Sequence, residues 1–303
     1  MNNLNVKIDV IKLKNNKIKI PKNLNKIFIE VGTNSRNVVI NEELKLDKNA
    51  FYIGFEPLLN QYSNLISKYN SKPDSYGELG KIHDRGYLLP IAIAESNGYI
   101  DFNVSPVDGC SSVLKTQQIK NDKMNKWDNW VINNCNSTIE TRKVPCMTLL
   151  RLFDLLDNRE IFYLKIDAQG YDLNVIKSAG NKIRNIRFIK LEVQADKDLC
   201  DNIYKNQSTC SNIVEYMKSK NFYLFNDERC SEWKTCEKDQ IWIRNDIKKK
   251  DIPNYITNNT DYLSISNDNI NYNLYFRVFY DKYLIKFIII LIFIYLFIQN
   301  RKK

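Results

Sequence analysis

The feature that most constrains this chain is a regular alternation of two kinds of segment. Short apolar runs rich in β-branched and aromatic residues occur at Ile27–Val31 (IFIEV), Phe51–Phe55 (FYIGF), Tyr87–Ile93, Ile161–Ile166 (IFYLKI), Ile186–Val193 (IRFIKLEV), Phe222–Phe225 and Gln240–Ile243. Between them, Arg36–Leu46, Leu58–Tyr69, Tyr171–Ala179 and Ser211–Lys220 carry helical spacing. Strands that are apolar on both sides must be covered on both faces, and the intervening helices supply that cover. The fold class expected is α/β, with a mostly parallel sheet flanked by helices. Two segments break the rhythm. An Asn-Gly within residues 95–104 (ESNGYIDFNV) predicts a hairpin. The polar stretch Lys115–Thr141, with Trp127 and Trp130, fits no strand and reads as an insertion placed to cover a site.

The alternation sets the domain boundaries. Residues 1–26 form a basic arm whose period-two pattern suggests a strand or extended segment, and 27–246 form the alternating domain. Residues 247–282 are a polar, Asn-rich linker, 283–298 (YLIKFIIILIFIYLFI) an almost wholly apolar helix, and 299–303 a basic tail. The apolar run has no polar face for a soluble amphipathic helix and no turn for a strand pair. It is expected to cross a membrane, with Lys286 snorkelling.

Charge and composition remove several function classes. The net charge is +10, but the basic residues concentrate in the first 26 positions and the last three, so the folded body offers no strong nucleic-acid groove. His83 is the only histidine, which excludes multi-histidine zinc sites and the HExxH helix. Nine glycines leave little material for Gly-rich phosphate cradles. The seven cysteines form no CxxC pair, and the cluster Cys200, Cys210, Cys230 and Cys236 is compatible with disulfides or with reduced buried thiols. Cys146, in Val-Pro-Cys ahead of a strand, reads as structural.

In open α/β sheets ligands bind beyond the carboxyl ends of strands, so the residues just after each apolar run are informative. The first run ends in Gly32, followed by Thr33, Asn34, Ser35 and Arg36 rather than the further glycines of GxGxxG, which disfavours a pyrophosphate. The second ends at Glu56, 24 residues beyond Gly32, where a carboxylate can accept both hydroxyls of a ribose. Nucleoside recognition without a phosphate cradle matches S-adenosylmethionine.

These residues carry a resemblance. IFIEVGTNSRN (27–37), YIGFEP (52–57), LLPIAIAESNGYIDFNV (88–104), DGCSSVLK (108–115), VPCMTLLRLFDLL (144–156), LKIDAQGYDLNVIKSAG (164–180) and IKLEVQ (189–194) together resemble the FkbM family of S-adenosylmethionine-dependent methyltransferases. The resemblance implies a Rossmann-like class I methyltransferase sheet of seven strands, the last antiparallel, and methyl transfer to hydroxyls of glycans, lipids or small metabolites. By position it implies that Glu30, Gly32 and Asn34 line the methionine end of the cofactor, that Glu56 holds the ribose, and that Ala92 and Ile93 end the third strand beside adenine. Asp167 and Gln169 close the fourth strand, Gln169 standing where the family commonly has Glu; Arg36 stands near a usual glycine.

A hydroxyl is a poor nucleophile while neutral, so a base is expected within reach. Asp167 and His83 are the candidates, with Asp108, Ser111, Ser112 and Gln169 as candidate substrate contacts. No metal ligand set is expected. Two other readings stand beside this one: a catalytically inactive scaffold that has kept the fold, and an RNA methyltransferase using its basic arms. With no signal peptide and an apolar run near the C-terminus, the expected placement is a single-pass anchor with the catalytic domain in the cytosol, its cysteines reduced.

Overall fold

The computed structural model describes residues 13–34, 41–71, 85–119, 129–225 and 229–257. The chain divides into two units, 1–258 and 259–303, and all described residues belong to the first. His83, Arg36 and the apolar run 283–298 lie outside the described residues, as do their expected roles.

The alternation in the sequence becomes one seven-stranded sheet. Its strands are β1 (Lys26–Val31), β2 (Ala50–Phe55), β3 (Gly86–Leu89), β4 (Ile161–Ile166), β5 (Ile186–Gln194), β6 (Phe222–Leu224) and β7 (Glu237–Arg244). The order across the sheet is β3-β2-β1-β4-β5-β7-β6. Strands β1 to β5 run parallel, and β7 is antiparallel to both β5 and β6, as the resemblance implied. The order reverses direction between β1 and β4, which places the topological switch point, and so the ligand crevice, beyond Val31 and Ile166.

Every residue of β2 and β4 is buried, so both faces of the sheet are covered. On one face Phe28, Tyr52, Tyr163 and Phe188 pack with Leu65 of α2 (Leu59–Ser71) and with Leu44 of α1 (Asn41–Leu46). On the other, Ile27, Ile29 and Val31 pack with side chains of α4 (Leu149–Leu155), α5 (Asp172–Lys177) and α6 (Cys210–Ser219). Thr148 caps α4, its side chain accepting from the Arg151 amide, and Thr209 caps α6 in a capping box with Asn212.

Several sequence expectations need correction. The third run does not continue through Ile93: Pro90 has no N–H to give the ladder, and the main-sheet strand ends at Leu89. Ala92 and Ile93 instead join a separate three-stranded sheet. Nor does the Asn-Gly make a hairpin. Gly98–Val104 and Ala92–Ile93 each pair with Glu140–Met147, which lies between them. A true hairpin occurs earlier, where Asn15 and Asn16 adopt positive φ between Leu13–Lys14 and Lys17–Ile18. The linker starts later than expected, since Ile247 and Ile256 are buried, and Tyr255 of α7 (Asn254–Thr257) donates to Asp47 at 2.8 Å.

The cysteines are a further correction. Cys110 is bonded to Cys135, Cys200 to Cys236 and Cys210 to Cys230, so the expectation of reduced thiols fails for six of the seven. The sequence left this open because pairing depends on which loops the sheet brings together. Cys146 is free and buried, with its thiol on the Ser96 carbonyl. Thiol counting of the denatured, unreduced protein should therefore find one free cysteine. Replacing Cys200 and Cys236 by Ser should lower stability by about 2–5 kcal/mol in a denaturant titration.

Candidate active site at the carboxyl edge of the sheet

A cleft of about 260 Å³ opens beyond the ends of β1, β2 and β4. Its floor begins at Gly32, whose φ of +83° turns the chain away from β1. No side chain fits there, because a Cβ would lie 1.9 Å from the Asp167 carbonyl oxygen. The missing Cβ lets the β1 and β4 ends approach closely, and the Asp167 amide joins them by donating to the Val31 carbonyl at 3.0 Å. Asn34 also takes a positive φ, which aims its amide at Glu56.

Glu56 is buried at the end of β2. Its Oε2 accepts from the Asn34 amide at 2.6 Å and its Oε1 from the Leu58 amide at 2.9 Å. Burial nevertheless pushes its carboxyl up to about 7, helped by Asp108 and Asp167 and opposed by the two amides. The walls beside it are apolar: Leu58, Ile91, Ile93 and Phe102 all line the cleft. Two cleft-lining polar atoms, Thr33 Oγ1 and Gln61 Oε1, are buried without a hydrogen-bond partner among the described residues. A carboxylate for a diol, apolar walls for a planar base and unpaired polar atoms awaiting a ligand fit S-adenosylmethionine.

The opposite end of the cleft is acidic. Lys165, buried in β4, sits 3.1 Å from Asp167 Oδ2 and 3.8 Å from Glu30 Oε1. Burial works against its ammonium, but Asp167 and Glu30 outweigh it and raise its pKa. Burial likewise opposes ionisation of Asp167, yet Lys165 and the Gln169 amide hold its carboxyl below the usual value. Gln169, held in a left-handed backbone conformation, donates from one nitrogen to Asp167 Oδ1 and to Glu192 Oε2, each at 2.8 Å. Tyr204 donates to Gln169 Oε1 at 3.0 Å or to the Cys110 carbonyl at 2.9 Å. Glu192 and Glu237 also line the cleft. Burial, then Asp167, raises Glu192 well above its ordinary value and Glu237 to about 7.

The structure thus brings together Gly32, Asn34, Glu56, Ala92, Ile93, Asp108, Ser111, Asp167 and Gln169 around one cleft. Two expected residues are elsewhere. Glu30 shares the strand face of Phe28, opposite Val31, and is buried with Tyr52 donating to it at 3.1 Å; it supports Lys165 and does not line the cleft. Ser112 is a strut, its hydroxyl donating to the Gln169 carbonyl at 2.9 Å and accepting from the Leu114 amide. Ser111 lines the cleft, but its oxygen already accepts from the Ser105 amide. The insertion does cover the site: Trp130 and Val131 of α3 (Asn129–Asn134) line it, and the Cys110–Cys135 disulfide anchors α3 to the Asp-Gly-Cys-Ser-Ser loop. Glu192 and Glu237 were missed. Their signal was a carboxylate at the cleft end of two strands, set in IKLEVQ and in CEKDQI.

Residues 30–224 match the methyltransferase FkbM domain, and the chain belongs to that family. S-adenosylmethionine is its cofactor. No curated protein matches the sequence. Among solved structures, similarity extends to magnesium protoporphyrin IX methyltransferase from Synechocystis PCC 6803 with bound S-adenosylmethionine (10% identity, 73% of this chain and 72% of that one, TM-score 0.34). A human methyltransferase 10 domain containing protein (7%, 77% and 76%, 0.36) and an antibiotic-related methyltransferase (12%, 73% and 88%, 0.31) are similar at the same level. At these TM-scores the likeness carries no argument about substrate.

If a ribose diol donates to an ionised Glu56, cofactor affinity should follow that group's titration. Affinity for S-adenosylhomocysteine, measured by calorimetry, should increase as pH rises through about 7. Glu56→Gln should flatten that dependence and weaken binding by about 10- to 100-fold, the loss expected for charge-assisted hydrogen bonds. Stability of the ligand-free protein should run the other way. A carboxyl raised on folding binds more protons folded than unfolded, so stability falls as pH rises from about 4.5 to about 7.

Proposed function

We propose that the chain transfers the methyl group of S-adenosylmethionine to a hydroxyl of a glycan, lipid or small metabolite. The observation that carries this reading is the acidic mouth formed by Asp167, Glu192 and Glu237 on one cleft, opposite the diol-binding Glu56. An alcohol must shed a proton as it is methylated, and a carboxyl group of this mouth not already paired with Lys165 is placed to receive it. The same cluster disfavours a phosphodiester-rich acceptor such as RNA, whose charge the mouth repels. It also disfavours an inactive scaffold, because partly buried carboxyl groups crowded together cost stability and need a reason to persist.

S-adenosylmethionine supplies an activated methyl carbon when bound. The chain's own residues do the rest. Glu56 anchors the nucleoside, Gly32 and Thr33 leave room for the amino-acid end, and the negative mouth favours a cationic sulfonium over its neutral product. Trp130 and Val131 narrow the opening and help exclude water.

Among the described residues no helix is long and apolar enough to cross a membrane. We propose that the run 283–298, outside those residues, is the membrane anchor. Three disulfides support placing the folded domain on the oxidising side, rather than in the cytosol.

Incubating the full-length protein with fractionated lysate and methyl-labelled S-adenosylmethionine tests the acceptor class. Base-stable label in carbohydrate, lipid or small-metabolite pools is the expected result. Label confined to RNA would replace this reading, and a folded, cofactor-binding protein that labels nothing would favour the scaffold.

A further inference from the structure

We propose that Glu192 is the catalytic base of this site, held in position by Gln169 and facing an Asp167 that is paired with Lys165. The inference rests on the hydroxyl-methylation reading above and assigns the proton-accepting atom within it. Sequence position alone favoured Asp167, but the geometry separates the two carboxyl groups. Both oxygens of Asp167 are engaged, Oδ2 by the Lys165 ammonium at 3.1 Å and Oδ1 by the Gln169 amide at 2.8 Å. A carboxylate bound to a buried ammonium is a weak base. Glu192 accepts a hydrogen bond on Oε2 from Gln169, and its carboxyl lies within hydrogen-bonding reach of Asp167, to which its protonated form donates. It lines the cleft, and no cation is paired with it in the described structure.

The surroundings of Glu192 are predominantly negative. Asp167 lies beyond β4, Asp172 on α5, and Glu237 and Asp239 on β7, where Asp239 is directly opposite Glu192 in register. The nearby cations bond other carboxylates, Lys190 to Asp239 at 2.8 Å and Lys165 to Asp167 and Glu30, and Lys165 acts on Glu192 only at longer range. The buried Tyr204 hydroxyl, with its own pKa raised, completes the shell through Gln169. Such a setting makes Glu192 a strong proton acceptor, and a cationic sulfonium bound in the cleft would favour its ionised form before reaction.

In the step itself the hydroxyl oxygen forms a bond to the methyl carbon as the carbon–sulfur bond breaks, and that electron pair stays on sulfur. The hydroxyl proton passes to Glu192, so one cationic donor and one carboxylate become a neutral thioether and a carboxylic acid. This assignment also explains Gln169. A Glu there could not donate to both neighbours while ionised, and would add another negative charge to the cluster.

The test uses the full-length protein with the labelled acceptor pool found above, over about pH 6 to 9. Glu192→Gln should lower kcat by about 10²- to 10⁴-fold. It should abolish the acidic limb of the kcat profile and leave S-adenosylhomocysteine affinity within about threefold. Asp167→Asn, which removes the facing charge, should shift that limb to lower pH. Wild-type kcat in Glu192→Gln, an unmoved limb in Asp167→Asn, or loss of the limb in Glu237→Gln instead would overturn the assignment while leaving the methyltransferase reading intact. Absence of transfer to any hydroxyl by the wild-type protein would overturn the reading and the assignment together.

Discussion

Lys165 is buried in the central strand β4, with its ammonium 3.1 Å from Asp167 and 3.8 Å from Glu30, and the character of the cleft depends on that placement. A lone ammonium in a sheet interior would be costly, and so would either carboxylate without it. Together they are stable, and the consequence is directional. Asp167 is fixed as an anion at the mouth of the sheet, and a fixed anion raises the proton affinity of every carboxyl group around it. Glu192, Glu237 and Asp172 all feel this effect.

The arrangement divides the cleft into two ends with different chemistry. At the β2 end Glu56 receives two backbone amides and lies among apolar side chains, suited to a nucleoside. At the β4 and β5 end, Gln169 joins two carboxyl groups through one nitrogen, suited to handling a proton. Gly32 connects the ends, because only a residue without Cβ allows β1 to pass the Asp167 carbonyl. The disulfide between Cys110 and Cys135 closes the third side, binding two cleft-lining segments to each other.

Much of this architecture was visible in the sequence. Apolar runs of β-branched residues marked five of the seven main strands closely, because strands buried on both faces leave a continuous signal. Gly32, Glu56 and Asp167 were singled out for a related reason, that ligands gather where such runs end, and all three line the cleft. What the sequence could not reveal depends on which face a side chain takes and which loops meet. Glu30 looked like a cofactor residue until strand alternation placed it on the Phe28 face with Lys165. Gln169 looked like a lost carboxylate, yet its amide bridges two others. Glu192 sat in a run whose apolar pattern masked it, and the disulfide partners are far apart in sequence. Ala92 and Ile93 kept their place in the cleft although Pro90 moved them to another sheet.

The central claim is that the carboxyl edge of β1, β2 and β4 holds the methyl donor with its nucleoside on Glu56 and its sulfur toward Asp167 and Glu192. A crystal structure of the full-length protein with S-adenosylhomocysteine tests this most directly. The account predicts both ribose hydroxyls within hydrogen-bonding distance of Glu56, at about 2.5–3.0 Å, with the sulfur at the acidic end of the cleft. A folded protein with the ligand bound elsewhere, or bound here in the reverse orientation, would contradict it.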